Sequence, residues 1–172
     1  MRTRFTSHCL LACAVLGVFW NLSGLARGAG APARPVIVVV AGHGAGLTDL
    51  SLGMLRRAYD GDPTRAAGIR LIPFNYPPDN LLRQRFDWRV LELRPAETGR
   101  YWIDRRIRGE GYPPRTVPSA EVLKAVVARL PGAIGYLSLE QLDSSVRALT
   151  IDGRSHTDPE YPLVYGPGPD GP

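Results

Sequence analysis

Val36-Ile37-Val38-Val39-Val40 is an unbroken run of β-branched residues with no polar side chain among them. Successive side chains of a strand point to opposite faces, so such a run needs apolar cover on both sides. A sheet with one wet face cannot supply it; the central strand of an α/β sheet can. The residues that follow fit that architecture. A Gly-rich loop, Ala41 to Thr48, precedes a helix that Ser51 starts and that runs through about Tyr59, with Leu52, Leu55 and Tyr59 on one face and Gly61 as its stop. Ile69 to Phe74 reads as a second strand. Asn80, after Pro77-Pro78-Asp79, is placed to cap a helix in which Leu82, Phe86, Val90 and Leu93 recur at helical spacing. Pro95 opens another helix, carrying Tyr101, Trp102, Ile103 and Ile107 and ending at Gly109. Ser119 caps a last one, with Leu123, Val126, Val127 and Leu130 facing inward.

Pro131 and Gly132 stop that helix. Ala133 to Leu137 then reads as a short buried strand, in which Gly135 marks a close approach. Val146 to Ile151 is a further strand before an Asp152-Gly153 turn. Strands alternating with helices predict an α/β sandwich with a small sheet.

The two ends of the chain read differently. Arg2 and Arg4 precede an apolar stretch, Cys9 to Trp20, too short to span a membrane comfortably, and Gly24-Leu25-Ala26 supplies small residues at a cleavage site. Residues 1–26 therefore read as a secretory signal peptide, and an Ala/Gly/Pro linker occupies 27–34. An uncleaved anchor is the alternative. Leu10-Leu11-Ala12-Cys13 looks like a lipoprotein box, but the apolar run continues past it. The expected destination is the periplasm.

Both cysteines, Cys9 and Cys13, lie in the leader, so the exported domain would hold no disulfide, catalytic thiol or cysteine metal site. Residues 154–172 are rich in Pro and Gly and lack apolar periodicity, which predicts a disordered tail. The formal charge is +5, or +3 without Arg2 and Arg4, carried almost wholly by arginine. That is too small and too scattered to indicate nucleic acid.

Four segments together resemble the phosphate-type substrate-binding proteins of ABC transporters. They are LTDLSLGMLRRAYDG (Leu47 to Gly61), IPFNYPPDNLLRQRF (Ile72 to Phe86), RYWIDRRIRGEGYPP (Arg100 to Pro114) and LPGAIGYLSLEQLDSSVRALTIDG (Leu130 to Gly153). They occur in the family's order and span most of residues 35–153. The resemblance implies a single small mixed-sheet lobe of the type II periplasmic-binding-protein kind. Two such lobes, which a clamshell needs, would take roughly 200–300 residues.

In that family the anion sits at a helix N-terminus, on a Ser-Gly-Thr motif with an Arg a few residues earlier. Here Asn80-Leu81-Leu82 fill the Ser-Gly-Thr positions and Tyr76 stands where the Arg is expected. Each charge-assisted hydrogen bond to an anion is worth roughly 1.5–3 kcal/mol, so losing these donors argues against tight phosphate capture.

The candidate residues follow. Gly42-His43-Gly44-Ala45-Gly46 has neither dinucleotide-binding nor P-loop spacing. It resembles the oxyanion loop of α/β-hydrolases, but no G-x-S-x-G elbow accompanies it, and no catalytic activity is expected. By the family resemblance this loop faces the ligand cleft, which makes His43 and Thr48 candidates; Asn80 and Arg83 are the candidates at the helix start. Arg100, Arg105, Arg106 and Arg108 form a basic group suited to an acidic partner, or a solvated helix face. His43 and His156 are too isolated to suggest a metal, and no cofactor is expected. Two functions stand at this point. One is an exported module binding a small, phosphate-like anion for an ABC uptake or sensing system, with a transporter permease or another envelope protein as partner. The other is a one-lobe protein-interaction module that has lost solute binding.

Overall fold

The computed structural model describes residues 35–166. The leader and linker predicted for 1–34 lie outside the described residues, as do residues 167–172. In chain order, β1 (Ile37–Ala41) leads through a 3-10 turn at His43–Ala45 to β2 (Asp49–Leu50) and α1 (Leu52–Tyr59). A hairpin of β3 (Arg65–Ala66) and β4 (Ile69–Arg70) precedes β5 (Ile72–Asn75). The helix α2 (Leu81–Phe86) runs on into a π-helical turn, Asp87–Leu91, before α3 (Pro95–Arg108) and β6 (Arg115–Thr116). Last come α4 (Ala120–Arg129), β7 (Ala133–Ser138), β8 (Arg147–Ala148) and β9 (Thr150–Ile151).

Five strands form a mixed sheet in the order β6-β5-β7-β1-β8. β5 runs parallel to β6 and β7, whereas β1 is antiparallel to β7 and β8. The β-branched run supplies β1, buried at every position. Next to it lies β7, also buried except at Ser138. Consecutive β7 residues show what covers each face. A Cβ on Gly135 would stand 2.5 Å from the Leu123 side chain, so α4 lies tightly against that face. Tyr136 points the other way, stacked on Phe86 with ring centroids 3.9 Å apart and against Tyr59 at 5.9 Å, which places α1 and α2 on the opposite face. The expected close approach at Gly135 is thus between a helix and the sheet.

The predicted caps are in place. The side-chain oxygens of Ser51, Asn80 and Ser119 accept from the backbone N–H groups of Met54, Arg83 and Val122 at 3.1, 3.1 and 3.3 Å. Gly132 adopts φ +82, which its close contact with the β4 backbone requires.

Several expectations are corrected. The strand predicted over Ile69 to Phe74 breaks at Leu71, because β4 closes a hairpin while Ile72 N–H turns to the carbonyl of Gly132 at 2.8 Å. The strand predicted over Val146 to Ile151 is two short ones: β8 borders β1, and β9 pairs in parallel with β2. Leu130 is 37% exposed, because the chain has already left the helix at that residue.

The tail expected to be disordered from residue 154 is anchored to the core as far as Tyr165. Tyr161 and Leu163 are buried in the core, Ile37 N–H donates to Leu163 at 3.0 Å, and Tyr165 N–H donates to Pro35 at 2.9 Å. Pro and Gly hid the apolar anchors Tyr161, Leu163 and Val164, which bind the tail along the N-terminal approach to β1.

Candidate functional site

β5 and β7 are parallel, and both end toward the start of α2. A cleft of about 540 Å³ opens there, between the N-termini of α2 and α4, lined by Asn80, Ser119, Glu121, Arg85, Ser138 and Tyr165 among others. This is where the sequence placed an anion loop. Tyr76, Asn80 and Arg83 each have a structural duty there.

Tyr76, standing where an Arg was looked for, is buried. Its hydroxyl donates to the carbonyl of Tyr136 at 3.0 Å, and its ring meets the Tyr136 ring edge-on at 5.4 Å. The Tyr136 hydroxyl in turn donates to Asn75, whose side-chain oxygen also accepts from Tyr76 N–H at 2.9 Å. The loop is therefore seated by an aromatic cluster, and burial pushes Tyr59, Tyr76 and Tyr136 above the usual tyrosine pKa.

Arg83 is turned inward. It is 5% exposed, its Nε lies 3.2 Å from Asp87 Oδ2, and its Nη1 donates to the carbonyl of Tyr76 at 2.7 Å. Burial raises the Asp87 carboxyl pKa, and the charge and hydrogen bond of Arg83 pull it back. The guanidinium thus neutralises a buried carboxylate and holds the loop, and its two polar edges are engaged inside the fold. Asn80 is half-buried and its oxygen is committed to the cap.

At the mouth of the cleft Glu121 sits in the first turn of α4. Its own backbone N–H and the Ser119 hydroxyl hold its pKa below the usual range, so a negative charge already occupies that helix N-terminus. Arg85 lies under the Tyr165 ring, 4.6 Å from the centroid.

His43 and Thr48 are not part of this cleft. The antiparallel register of β1 on β7 pairs Ile37 with Ser138 and Ala41 with Ile134. The loop after β1 therefore lies at the opposite end of the sheet from Asn80, where the ring Nε2 of His43 meets the carbonyl of Ser144 at 3.1 Å. Carbonyl oxygen of Thr48 accepts from Thr150 N–H at 2.9 Å, tying the loop to β9.

The four arginines of α3 do not form one patch either. Arg105 is drawn inward among Asp60 (3.3 Å), Asp62 (3.2 Å) and Glu110 (3.9 Å). Arg108 pairs with Glu110 at 2.8 Å, and Arg100 leans toward Asp104 at 3.9 Å. Arg106 alone of the four is exposed with no ion pair among the described residues, beside Ile103 and Tyr112.

Sequence reading missed a second hollow, at the N-terminal ends of β5 and β6. It is about 490 Å³, walled by Ile72, Pro73, Tyr112, Pro113 and Leu130, with Arg70 and Arg115 on its rim. The signal available was Gly-Tyr-Pro-Pro-Arg (111–115), which joins an aromatic, two rigid prolines and a cation.

With this geometry in view, likeness to solved structures defines the class of the fold. An ABC-type phosphate transport receptor from Vibrio cholerae superposes with a TM-score of 0.55 at 15% identity, covering 71% of this chain and 48% of that one. A phosphate ABC transporter substrate-binding protein with bound phosphate, from Clostridium perfringens, gives 0.51 at 18% identity, covering 71% of this chain and 47% of the other. No family model and no curated protein sequence matches the chain. The fold is a mixed α/β lobe similar to that of phosphate-transport binding proteins, and the chain spans about half the length of the solved relatives it matches.

Proposed function

We propose that the chain is an exported, substrate-binding-like lobe, which works by docking a partner in the cell envelope and not by capturing phosphate on its own. The observation that carries this is the state of Arg83. At the start of α2 the nearest guanidinium is buried against Asp87 and bonded to Tyr76, so it is not available to an anion. The partner would be a permease or other envelope component of an uptake or sensing system, the setting of the phosphate-transport proteins that share this fold. Among the described residues no helix is long and apolar enough to cross a membrane.

A second reading has one observation in its favour: the N-termini of α2 and α4 converge on a single polar cleft. On that reading Asn80, Ser119 and Arg85 would hold a small anion, against the charge of Glu121. Calorimetric titration with phosphate, sulfate and small carboxylates separates the two. The docking reading expects no saturable heat at millimolar ligand. A micromolar phosphate site abolished by Asn80→Ala would overturn it.

A further inference from the structure

The hollow at the N-terminal ends of β5 and β6 combines two properties. Its cations are free: Arg70 and Arg115 are exposed, and neither has an ion pair or side-chain hydrogen bond among the described residues. Its one carboxylate, Asp62, lies 3.2 Å from Arg105, which it shares with Asp60 and Glu110. Its surface is also apolar and rigid. Tyr112 is 73% exposed and Leu130 37%, and they line the hollow together with exposed Pro113 and half-buried Pro73. Across Tyr112 and Pro113 the surface continues into a smaller hollow containing Ile103 and Arg106. An exposed aromatic-proline floor with a rim of unpaired guanidinium groups is complementary to a ligand that is both anionic and apolar. The arginines can each take a carboxylate in two parallel hydrogen bonds, while the apolar floor supplies area that loses water on contact.

We propose that this groove docks an acidic, extended segment of a partner protein. Carboxylates of the segment lie on Arg70 and Arg115, and an apolar side chain between them packs on Tyr112 and Leu130. The proposal rests on reading the chain as a docking module and names the surface and the chemistry of the partner.

The test is fluorescence anisotropy of a short labelled peptide alternating Glu and Leu, titrated with the full-length chain. Companion titrations use an all-Glu peptide, a Lys/Leu peptide and anionic phosphatidylglycerol vesicles. The expected result is saturable binding of the Glu/Leu peptide, weaker binding of the all-Glu peptide and none of the Lys/Leu peptide. Arg70→Glu with Arg115→Glu should weaken binding about tenfold or more, and Tyr112→Ala should weaken it without changing its salt dependence. Both arginines are exposed and unpaired, so an unchanged thermal midpoint will show that the double variant is folded. Equal affinity in the double variant, or capture by vesicles in place of the Glu/Leu peptide, overturns the proposal. If Arg106→Glu abolishes peptide binding while the double variant does not, the groove assignment fails and the docking reading stands. If the Glu/Leu peptide does not bind and phosphate binds at Asn80, both fail.

Discussion

The two ends of the sheet carry similar chemistry in opposite states. At the C-terminal end of β5 and β7 Arg83 is engaged with Asp87 and Asn80 with its helix, while Arg85 has the Tyr165 ring against it. At the N-terminal end Arg70 and Arg115 sit on the rim of a groove and have no ion pair among the described residues. A guanidinium contributes to recognition only if it is not already neutralised. In this lobe the place expected to bind is built as structure, and the place with no expectation attached is left open.

The sharpest way to break that contrast is to treat Arg83 as a ligand group. Arg83→Ala should cost about 3–5 kcal/mol in denaturant unfolding, because it strands a buried carboxylate. The double change Arg83→Met with Asp87→Leu should recover most of the loss. A fully stable Arg83→Ala protein would mean the pair is not structural. At the groove end the comparable lesion is in the backbone. A Cβ at Gly132 would lie 2.2 Å from the carbonyl of Arg70 at a residue with φ +82, so Gly132→Ala should cost about 2–3 kcal/mol by the same measurement.

An alkaline titration probes the aromatic seat of the Asn80 loop. Burial holds Tyr59, Tyr76 and Tyr136 above the ordinary tyrosine range and pushes Tyr161 up to about 12. Above pH 10 the unfolded chain loses these protons while the folded one keeps them. The unfolded state then binds fewer protons, and stability falls as pH rises from about 10. Tyrosinate absorbance from these four residues should appear together with unfolding, and their ionisation in the folded protein would contradict the packing. Glu121→Gln removes the charge at the cleft mouth and should bring phosphate heats into the measurable millimolar range. The smallest effect belongs to the groove: Arg115→Glu should leave stability within about 0.5 kcal/mol.

The sequence made the fold legible where local rules agree with packing. The β-branched run had to be a strand covered on both faces, Asn80 and Ser119 had to be caps, and Gly132 and Gly135 marked tight contacts. It concealed what depends on contacts distant in the chain. The tail's Tyr161 and Leu163 reach the core because β1 leaves an approach for them to line, which no local periodicity records. The family resemblance groups His43 with Asn80, and only the antiparallel register of β1 separates them. The inward turn of Arg83 follows from Asp87 four residues on, a spacing visible beforehand but ambiguous between an exposed and a buried pair.

The central claim is that the working surface is the groove and not the cleft. Amide chemical shifts of the labelled protein, followed during titration with phosphate and then with the Glu/Leu peptide, test both ends at once. Millimolar phosphate should leave Leu81, Leu82 and Ser119 unmoved, and the peptide should shift Arg70, Tyr112, Arg115 and Leu130. Saturable phosphate shifts at Leu81, Leu82 and Ser119, with the groove silent to the peptide, would contradict it.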